Sequence, residues 1–111
     1  MQPLTQFDFH HRIAEVAGIA LVAFTSTHCG SCRHLRRVLR DLGPQRPGWQ
    51  LFEVDAQHEA GLTREFEVFH LPTLFLFRDG VFHCELQAEA RPSVIIAAAE
   101  SALRQPPMEA P

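Results

Sequence analysis

The fold is decided by one stretch of the chain, residues 19–42, whose sequence is IALVAFTSTHCGSCRHLRRVLRDL. Its first part, Ile19–Thr25, is an almost unbroken apolar run, which is typical of a short strand buried on both faces. Its second part, Cys29–Leu42, alternates apolar and basic residues at the spacing of an amphipathic helix. The apolar positions of that helix are Leu35, Val38, Leu39 and Leu42. The stretch therefore predicts a buried strand that leads directly into a helix.

Two cysteines, Cys29 and Cys32, lie at this junction between strand and helix. A thiolate, and not a thiol, attacks a disulfide, and an unperturbed cysteine with a pKa near ~8.5 is mostly protonated at neutral pH. The free N–H groups and the macrodipole at a helix N-terminus favour the anion. Two intervening residues place the second sulfur one helical turn further on, within reach of the first. We therefore predict that Cys29 is the attacking thiol and that Cys32 is the less accessible, resolving thiol.

The rest of the chain alternates predicted helices and strands. We expect helices over residues 7–17, 58–69 and 92–103, the first of them capped by Gly18, and strands over residues 49–55, 73–77 and 81–86. Asp79-Gly80 is a hairpin signal between the last two strands. These elements predict a mixed sheet with helices on both faces, in a single domain over residues 1–105. The proline-rich residues 106–111 are expected to be a disordered tail.

The bulk composition fits an ordinary soluble domain. The 111 residues are 46% hydrophobic and carry a formal net charge of −3, which predicts no general attraction to nucleic acid or to anionic membranes. No apolar run approaches the ~18 residues of a transmembrane helix, and Gly18–Phe24 is short for a signal peptide. We therefore expect a cytoplasmic protein, in which a thiol pair is more often catalytic or metal-binding than structural.

Half of a zinc site is the main alternative for a pair of cysteines two residues apart. A structural zinc site needs four ligands, so its second half would have to come from scattered residues, namely His10, His11, His34, His58, His70, His83 or Cys84. None of these residues has the spacing of a zinc finger, and the adjacent His10 and His11 diverge by about 100° on a helix. We predict no metal and no bound cofactor.

Several segments together resemble the thioredoxin family. Leu21–Cys32 (LVAFTSTHCGSC) resembles the strand that leads into that family's active site, and Val54-Asp55, Leu71–Phe77 (LPTLFLF) and Asp79-Gly80 look like its later strands and hairpin. The similarity extends over roughly Phe7–Leu103. It implies a thioredoxin fold with a central mixed sheet of four or five strands, in which the first strand is short or missing.

The resemblance also implies a function and its partners. The expected function is thiol–disulfide oxidoreductase activity, reducing or exchanging protein disulfides through a reversible Cys29–Cys32 pair. The partners would be protein disulfide substrates and an electron donor similar to thioredoxin reductase, and the protein would act as a monomer. A binding module is the alternative, in which the fold serves as an adaptor or holdase and the dithiol is only a redox latch.

We expect eight further residues to shape the substrate groove or to tune the thiols. They are His28, Gly30, Ser31, Arg33, His70, Leu71, Pro72 and Thr73. The resemblance implies that Pro72 follows a cis peptide bond beside the cysteines. Ser31 supplies a backbone N–H and a hydroxyl near Cys29, and a protonated His28 would add a positive charge, so both favour the thiolate.

The chain also departs from the family pattern. Ala23 stands where the family has a buried aspartate, Leu51 replaces that aspartate's lysine partner, and Gln87 replaces a glycine of the groove. These substitutions leave the substrate and the direction of electron flow open.

Two further features admit two interpretations each. Four arginines of the Cys29–Leu42 helix are either a solvated face or a steering surface for acidic partners. They are Arg33, Arg36, Arg37 and Arg40. Cys84 alternates with Phe82 and Leu86, so we expect it to share their apolar face as a small buried residue rather than a regulatory thiol.

Overall fold

The computed structural model describes all 111 residues, which form one five-stranded mixed sheet with helices on both faces. The strands are β1 (Gln2–Pro3), β2 (Ile19–Thr25), β3 (Gln50–Asp55), β4 (Thr73–Arg78) and β5 (Val81–Leu86). The helices are α1 (Phe9–Ala14), α2 (Gly30–Leu42), α3 (Ala60–Glu65) and α4 (Pro92–Leu103), and a short 3₁₀ helix covers Gly43–Gln45. None of the helices is both long and apolar enough to cross a lipid bilayer.

The strands are arranged in the order β1-β3-β2-β4-β5. Strands β1, β3 and β2 are parallel to one another. Strand β4 pairs antiparallel with β2, and β5 pairs antiparallel with β4. Strand β2 lies in the centre, where Ala23 is opposite Glu53 on one side and Leu74 on the other. The first strand is short, and the thioredoxin fold class predicted from the sequence is confirmed.

The two faces of the sheet have separate cores. One face packs under α1 and α3 and is rich in phenylalanine, with the rings of Phe9 and Phe66 at 5.1 Å and those of Phe66 and Phe75 at 5.4 Å between centroids. The other face packs under α2 and α4 and is mainly aliphatic, with Leu39 and Ile95 almost completely buried. Successive residues of β2 alternate between the two faces, so this strand contributes to both cores.

The first helix is shorter than predicted. It covers Phe9–Ala14 instead of residues 7–17, and Gly18 lies beyond its end rather than capping it. Gly18 has a φ of +82° and bonds with Asp79 of the β4–β5 hairpin, donating its N–H to the Asp79 carboxylate at 2.7 Å and accepting the Asp79 N–H at 2.8 Å. Gly18 therefore joins the start of β2 to the hairpin and does not cap the helix.

Helix α3 is also shorter, covering Ala60–Glu65 instead of residues 58–69. It ends before Glu67, which has a φ of +53°, a backbone conformation that interrupts a right-handed helix. The hairpin that the sequence predicts is present, with positive φ angles at Asp79 and Gly80 as its two-residue turn requires.

A β-bulge in β5 overturns the prediction that Cys84 shares a face with Phe82. Phe82 pairs with Phe77 and Cys84 pairs with Leu76, so His83 is an extra residue between the two pairs. The extra residue reverses the alternation. Phe82 therefore packs against the phenylalanine-rich core, whereas Cys84 belongs to the aliphatic one.

The C-terminal segment after α4 has no regular secondary structure. The Met108 N–H donates to the His83 carbonyl at 2.7 Å, at the bulge of β5. The His83 ring lies 2.7 Å from the Ala102 carbonyl of α4. The disorder of residues 106–111 remains a prediction.

Candidate active site

The site is built where the central strand ends and α2 begins. Cys29 is the N-cap of α2 rather than its first residue, with extended backbone angles (φ −107°, ψ 113°). Its sulfur accepts the Cys32 backbone N–H at 3.2 Å, which is the position that a side-chain oxygen occupies in an ordinary helix cap. Cys29 and Cys32 are joined in a disulfide, with their Cα atoms 5.1 Å apart. The predicted pair is therefore brought together.

The two cysteines differ in exposure. Cys29 is partly exposed, whereas Cys32 is completely buried among the side chains that α2 packs against the sheet. Only Cys29 is open to a macromolecular disulfide approaching from solvent. The division of labour between an attacking and a resolving thiol stays a prediction.

The surroundings of the Cys29 sulfur favour a negative charge. The Ser31 hydroxyl lies 3.4 Å from this sulfur, in addition to the Cys32 N–H. The first turn of α2 contains no acidic residue that would oppose an anion. The helix is 13 residues long, so its N-terminal N–H groups act together with these contacts on the reduced sulfur.

A loop from the other half of the chain completes the site. The Leu71–Pro72 peptide bond is cis, as predicted, and the Leu71 carbonyl lies 3.9 Å from the Cys29 sulfur. The Thr73 hydroxyl donates to the His70 carbonyl at 2.6 Å, which ties the loop to the start of β4. His70 itself is exposed. The loop places backbone groups directly beside the reactive sulfur.

A groove of about 350 Å³ extends from this loop between the sheet and the two helices of the aliphatic face. Its lining includes Leu35, His70, Pro72, Thr73, Leu86 and Gln87. The eight residues predicted to shape the groove or to tune the thiols form two groups, and three of the eight line the groove: His70, Pro72 and Thr73. His70, Leu71 and Pro72 belong to the loop, and Thr73 begins β4. Gly30, Ser31 and Arg33 belong to the first turn of α2, and His28 is exposed just before it.

One polar network near the site was not predicted from the sequence. Arg36 of α2 forms an ion pair with Glu53 of β3, and both side chains are about one-quarter exposed. Thr25, at the end of β2, donates its hydroxyl to the Glu53 carboxylate at 2.6 Å. Arg36 also donates to the Thr25 hydroxyl at 3.1 Å and to the Ser26 carbonyl at 3.3 Å. The available sequence signal was an acidic residue, Glu53, within the apolar positions of the predicted strand over residues 49–55.

The network holds the chain between β2 and Cys29. Ser26 and Thr25 are both buried, and the network satisfies the Thr25 hydroxyl and the Ser26 carbonyl. Of the four arginines of α2, Arg36 is therefore not part of a solvated face.

Cys84 is chemically separate from the active pair. It is buried in the aliphatic core, and burial, reinforced by the Glu85 carboxylate, raises the pKa of its thiol. A raised pKa lowers the thiolate fraction at neutral pH, which makes Cys84 a poor nucleophile. No three side chains among the histidines, cysteines, aspartates and glutamates are placed to hold a metal ion.

Comparison with known proteins finds relatives that all belong to one family. The Thioredoxin family model matches residues 1–101. The chain is 32% identical over 80 residues to the thioredoxin of Chlamydia trachomatis serovar D, covering 72% of this chain and 76% of that protein. It is 31% identical over 78 residues to a thioredoxin of Staphylococcus aureus, covering 69% and 73% respectively.

Solved structures agree on the fold. The oxidized form of mitochondrial thioredoxin 3 from Saccharomyces cerevisiae superposes with a TM-score of 0.79 over 91% of this chain and 94% of its own. The sequences are 22% identical, so this likeness concerns the fold alone.

Proposed function

Because this chain belongs to the thioredoxin family and is a thiol–disulfide oxidoreductase, we propose that it reduces disulfides of protein substrates, with Cys29 attacking and Cys32 resolving. One observation carries the assignment of the two roles. Cys29 is partly exposed and its sulfur caps α2, whereas Cys32 is fully buried. A substrate sulfur can reach the first position and not the second.

The proposed reaction has two exchange steps. The Cys29 thiolate attacks one sulfur of the substrate disulfide, forming a mixed disulfide and releasing the other substrate sulfur as a thiolate. Cys32 then loses its proton and attacks the Cys29 sulfur, which releases the second substrate sulfur and forms the Cys29–Cys32 disulfide. The substrate gains two electrons and takes up two protons, and the protein is left oxidised.

A second dithiol must then restore the reduced protein. We assign this step to an electron donor similar to thioredoxin reductase, which would return two electrons by the same exchange chemistry. The family supports disulfide substrates and a reductase in general. Action as a cytoplasmic monomer in a chain of electron transfer belongs to the same proposal.

Residues around the pair are proposed to position the substrate and to tune the sulfur. The Leu71 carbonyl, 3.9 Å from the Cys29 sulfur, lies where it can accept a backbone N–H of a substrate strand. Pro72, Thr73 and His70 would form the wall of that groove. The Ser31 hydroxyl and a protonated His28 would favour the thiolate and so raise the reduction potential.

Insulin reduction with dithiothreitol tests the proposal. The protein should accelerate the precipitation of the insulin B chain, and Cys29→Ser should abolish the acceleration. Cys84→Ser is the matched control and should retain it, because Cys84 is buried away from the pair. A wild-type protein that leaves the precipitation rate at the dithiothreitol background would instead support the adaptor or holdase interpretation.

A further inference from the structure

An unpaired row of arginines runs along one flank of α2. Arg33, Arg37 and Arg40 follow one another at spacings of four and three residues, so their side chains lie on the same side of the helix. All three are exposed, and none of their side chains forms an ion pair or a hydrogen bond within the chain. Asp41 follows immediately and does not pair with any of them. We call these three residues the arginine stripe.

The stripe contrasts with the rest of this acidic protein. The chain has a formal net charge of −3, and four of its other seven arginines have an acidic partner. Arg12 pairs with Asp8, Arg46 with Glu100 and Arg91 with Glu89. Even on α2, the neighbouring Arg36 turns inward to Glu53. The positive charge of the stripe is therefore left without compensation.

The stripe works against the stability of its own helix. Like charges three and four residues apart on a helix repel each other, and a positive side chain near the N-terminus is unfavourable to the macrodipole. Arg40 lies in the last turn of α2, where the macrodipole favours a positive charge, so the unfavourable terms are the position of Arg33 in the first turn and the repulsion between neighbouring arginines. A binding role supplies a reason for the arrangement, because an anionic partner would remove the repulsion.

The stripe begins at the reactive disulfide. The Arg33 guanidinium lies beside Gly30 in the first turn of α2, where its Nη2 would be 3.7 Å from a Cβ atom placed on that glycine. From Arg33 to Arg40 the helix rises by about 10 Å, which matches about three residues of an extended chain. A substrate strand held at Cys29 could therefore lay a short segment along the stripe.

We propose that the arginine stripe binds an acidic segment of the protein substrate, so that disulfides flanked by aspartate or glutamate are reduced preferentially. Guanidinium groups bind carboxylates through paired, charge-assisted hydrogen bonds, and all ten cationic side chains of this protein are arginines. Arg33 would engage the residue nearest the cysteine, and Arg37 and Arg40 the residues beyond it. The inference rests on the proposed function and names its substrate class.

Peptides with an intramolecular disulfide provide the test. Three peptides would share one cysteine pair and carry glutamate, glutamine or lysine at the three positions beside the exposed cysteine. At low ionic strength we expect kcat/KM for the glutamate peptide to exceed that of the lysine peptide by about tenfold, with glutamine between them. In 0.5 M salt the preference should shrink, because exposed charges are then screened.

Variants locate the preference on the stripe. Arg37→Gln combined with Arg40→Gln should bring the glutamate-to-lysine ratio close to one. Arg64→Gln removes an exposed arginine from α3, on the opposite face of the sheet, and should leave the ratio at the wild-type value. Far-ultraviolet circular dichroism would check that the helix is intact in each variant.

The outcomes separate this inference from the proposed function. Equal reduction of all three peptides would overturn the inference and leave protein disulfide reduction standing. No reduction of any peptide would overturn the proposed function itself. If glutathione disulfide reacts faster than its neutral ester while the three peptides react equally, the arginines bind a small anionic thiol, and the inference about an acidic protein segment is wrong.

Discussion

The two faces of the sheet are built from different side chains and serve different purposes. The face under α1 and α3 is filled by interlocking aromatic rings, such as those of Phe24 and Phe75 with centroids 5.6 Å apart. The face under α2 and α4 is aliphatic, and it also carries the buried Cys32, the Arg36–Glu53 pair and the groove. One face stabilises the fold, and the other combines packing with chemistry.

The comparison shows how one strand supports both roles. Phe24 of β2 points into the aromatic core, and Thr25, the next residue, points to the polar network on the opposite face. The rigid aromatic face holds β2 in place, and the end of β2 positions the loop that carries Cys29. Stability and reactivity can therefore be changed by substitutions on different faces.

The largest expected effect is on the chemical face. Cys29→Ser should abolish disulfide exchange, because the remaining Cys32 is buried and cannot reach a macromolecular substrate. Cys32→Ser should instead accumulate a mixed disulfide between Cys29 and the substrate, since the resolving thiol is gone. Non-reducing electrophoresis followed by peptide mapping would detect this adduct. An active Cys29→Ser protein would contradict the assignment of the chemistry to Cys29 and to the face under α2 and α4.

Truncation of the aromatic face should destabilise the protein without changing its chemistry. Phe9 is only 1% exposed and contacts Phe66 and Phe77, so Phe9→Ala should lower the free energy of unfolding by about 3–5 kcal/mol. Phe7→Ala is the matched control, because Phe7 is 90% exposed, and should change it by less than about 0.5 kcal/mol.

Urea denaturation at equilibrium measures both variants. The folded fraction of Phe9→Ala should reduce insulin at the wild-type rate. A selective loss of that rate in fully folded protein would show that the aromatic face takes part in the chemistry.

Disrupting the polar network should have an intermediate effect. Glu53→Gln leaves Arg36 without its charged partner in a partly buried position, so the free energy of unfolding should fall by about 1–3 kcal/mol. Glu89→Gln is the control, because the Glu89–Arg91 pair is exposed, and such pairs contribute about 0–1 kcal/mol. A double-mutant cycle with Arg36→Gln isolates the interaction. A coupling energy near zero would refute the stabilising role of the network.

The smallest effect concerns the start of α1, on the aromatic face. The Thr5 backbone N–H, bonded to the Asp8 carboxylate at 2.7 Å, lowers the pKa of Asp8 below its ordinary value of 3.8. This bond therefore contributes stability above pH 3.8, and the contribution is lost as the pH falls through the lower pKa of the folded state. Asp8→Asn should flatten the acid limb of the stability–pH profile. An unchanged limb in urea titrations below pH 4 would contradict this assignment.

The sequence predicted the parts of the molecule that are governed by local pattern. The apolar run predicted the bounds of β2, and Pro92 predicted the start of α4. The bounds of β5 also agree with the prediction, and Asp79-Gly80 forms the two-residue hairpin turn expected from its sequence. The active pair was found because strand, cysteines and helix are contiguous in the chain. These features need no information about distant residues.

Features that depend on tertiary contacts were missed. The bulge at His83 places Phe82 and Cys84 on opposite faces of the sheet. No local sequence pattern predicts an unpaired residue within a strand. The pairing of Arg36 with Glu53 joins residues 17 positions apart in the sequence. The helical pattern around α1 extends further than the helix: Glu15 and Val16 bond three residues back instead of four, and Gly18 bonds to the hairpin.

The central claim is that Cys29 is the reactive thiol and that Cys32 is shielded. It is tested most directly by alkylating the fully reduced protein with iodoacetamide from pH 5 to 9 and mapping the labelled peptides. The account predicts that Cys29 is labelled first, with a midpoint below the ~8.5 of an unperturbed thiol, while Cys32 and the buried Cys84 react much more slowly. Labelling of Cys32 or Cys84 before Cys29 at neutral pH would contradict it.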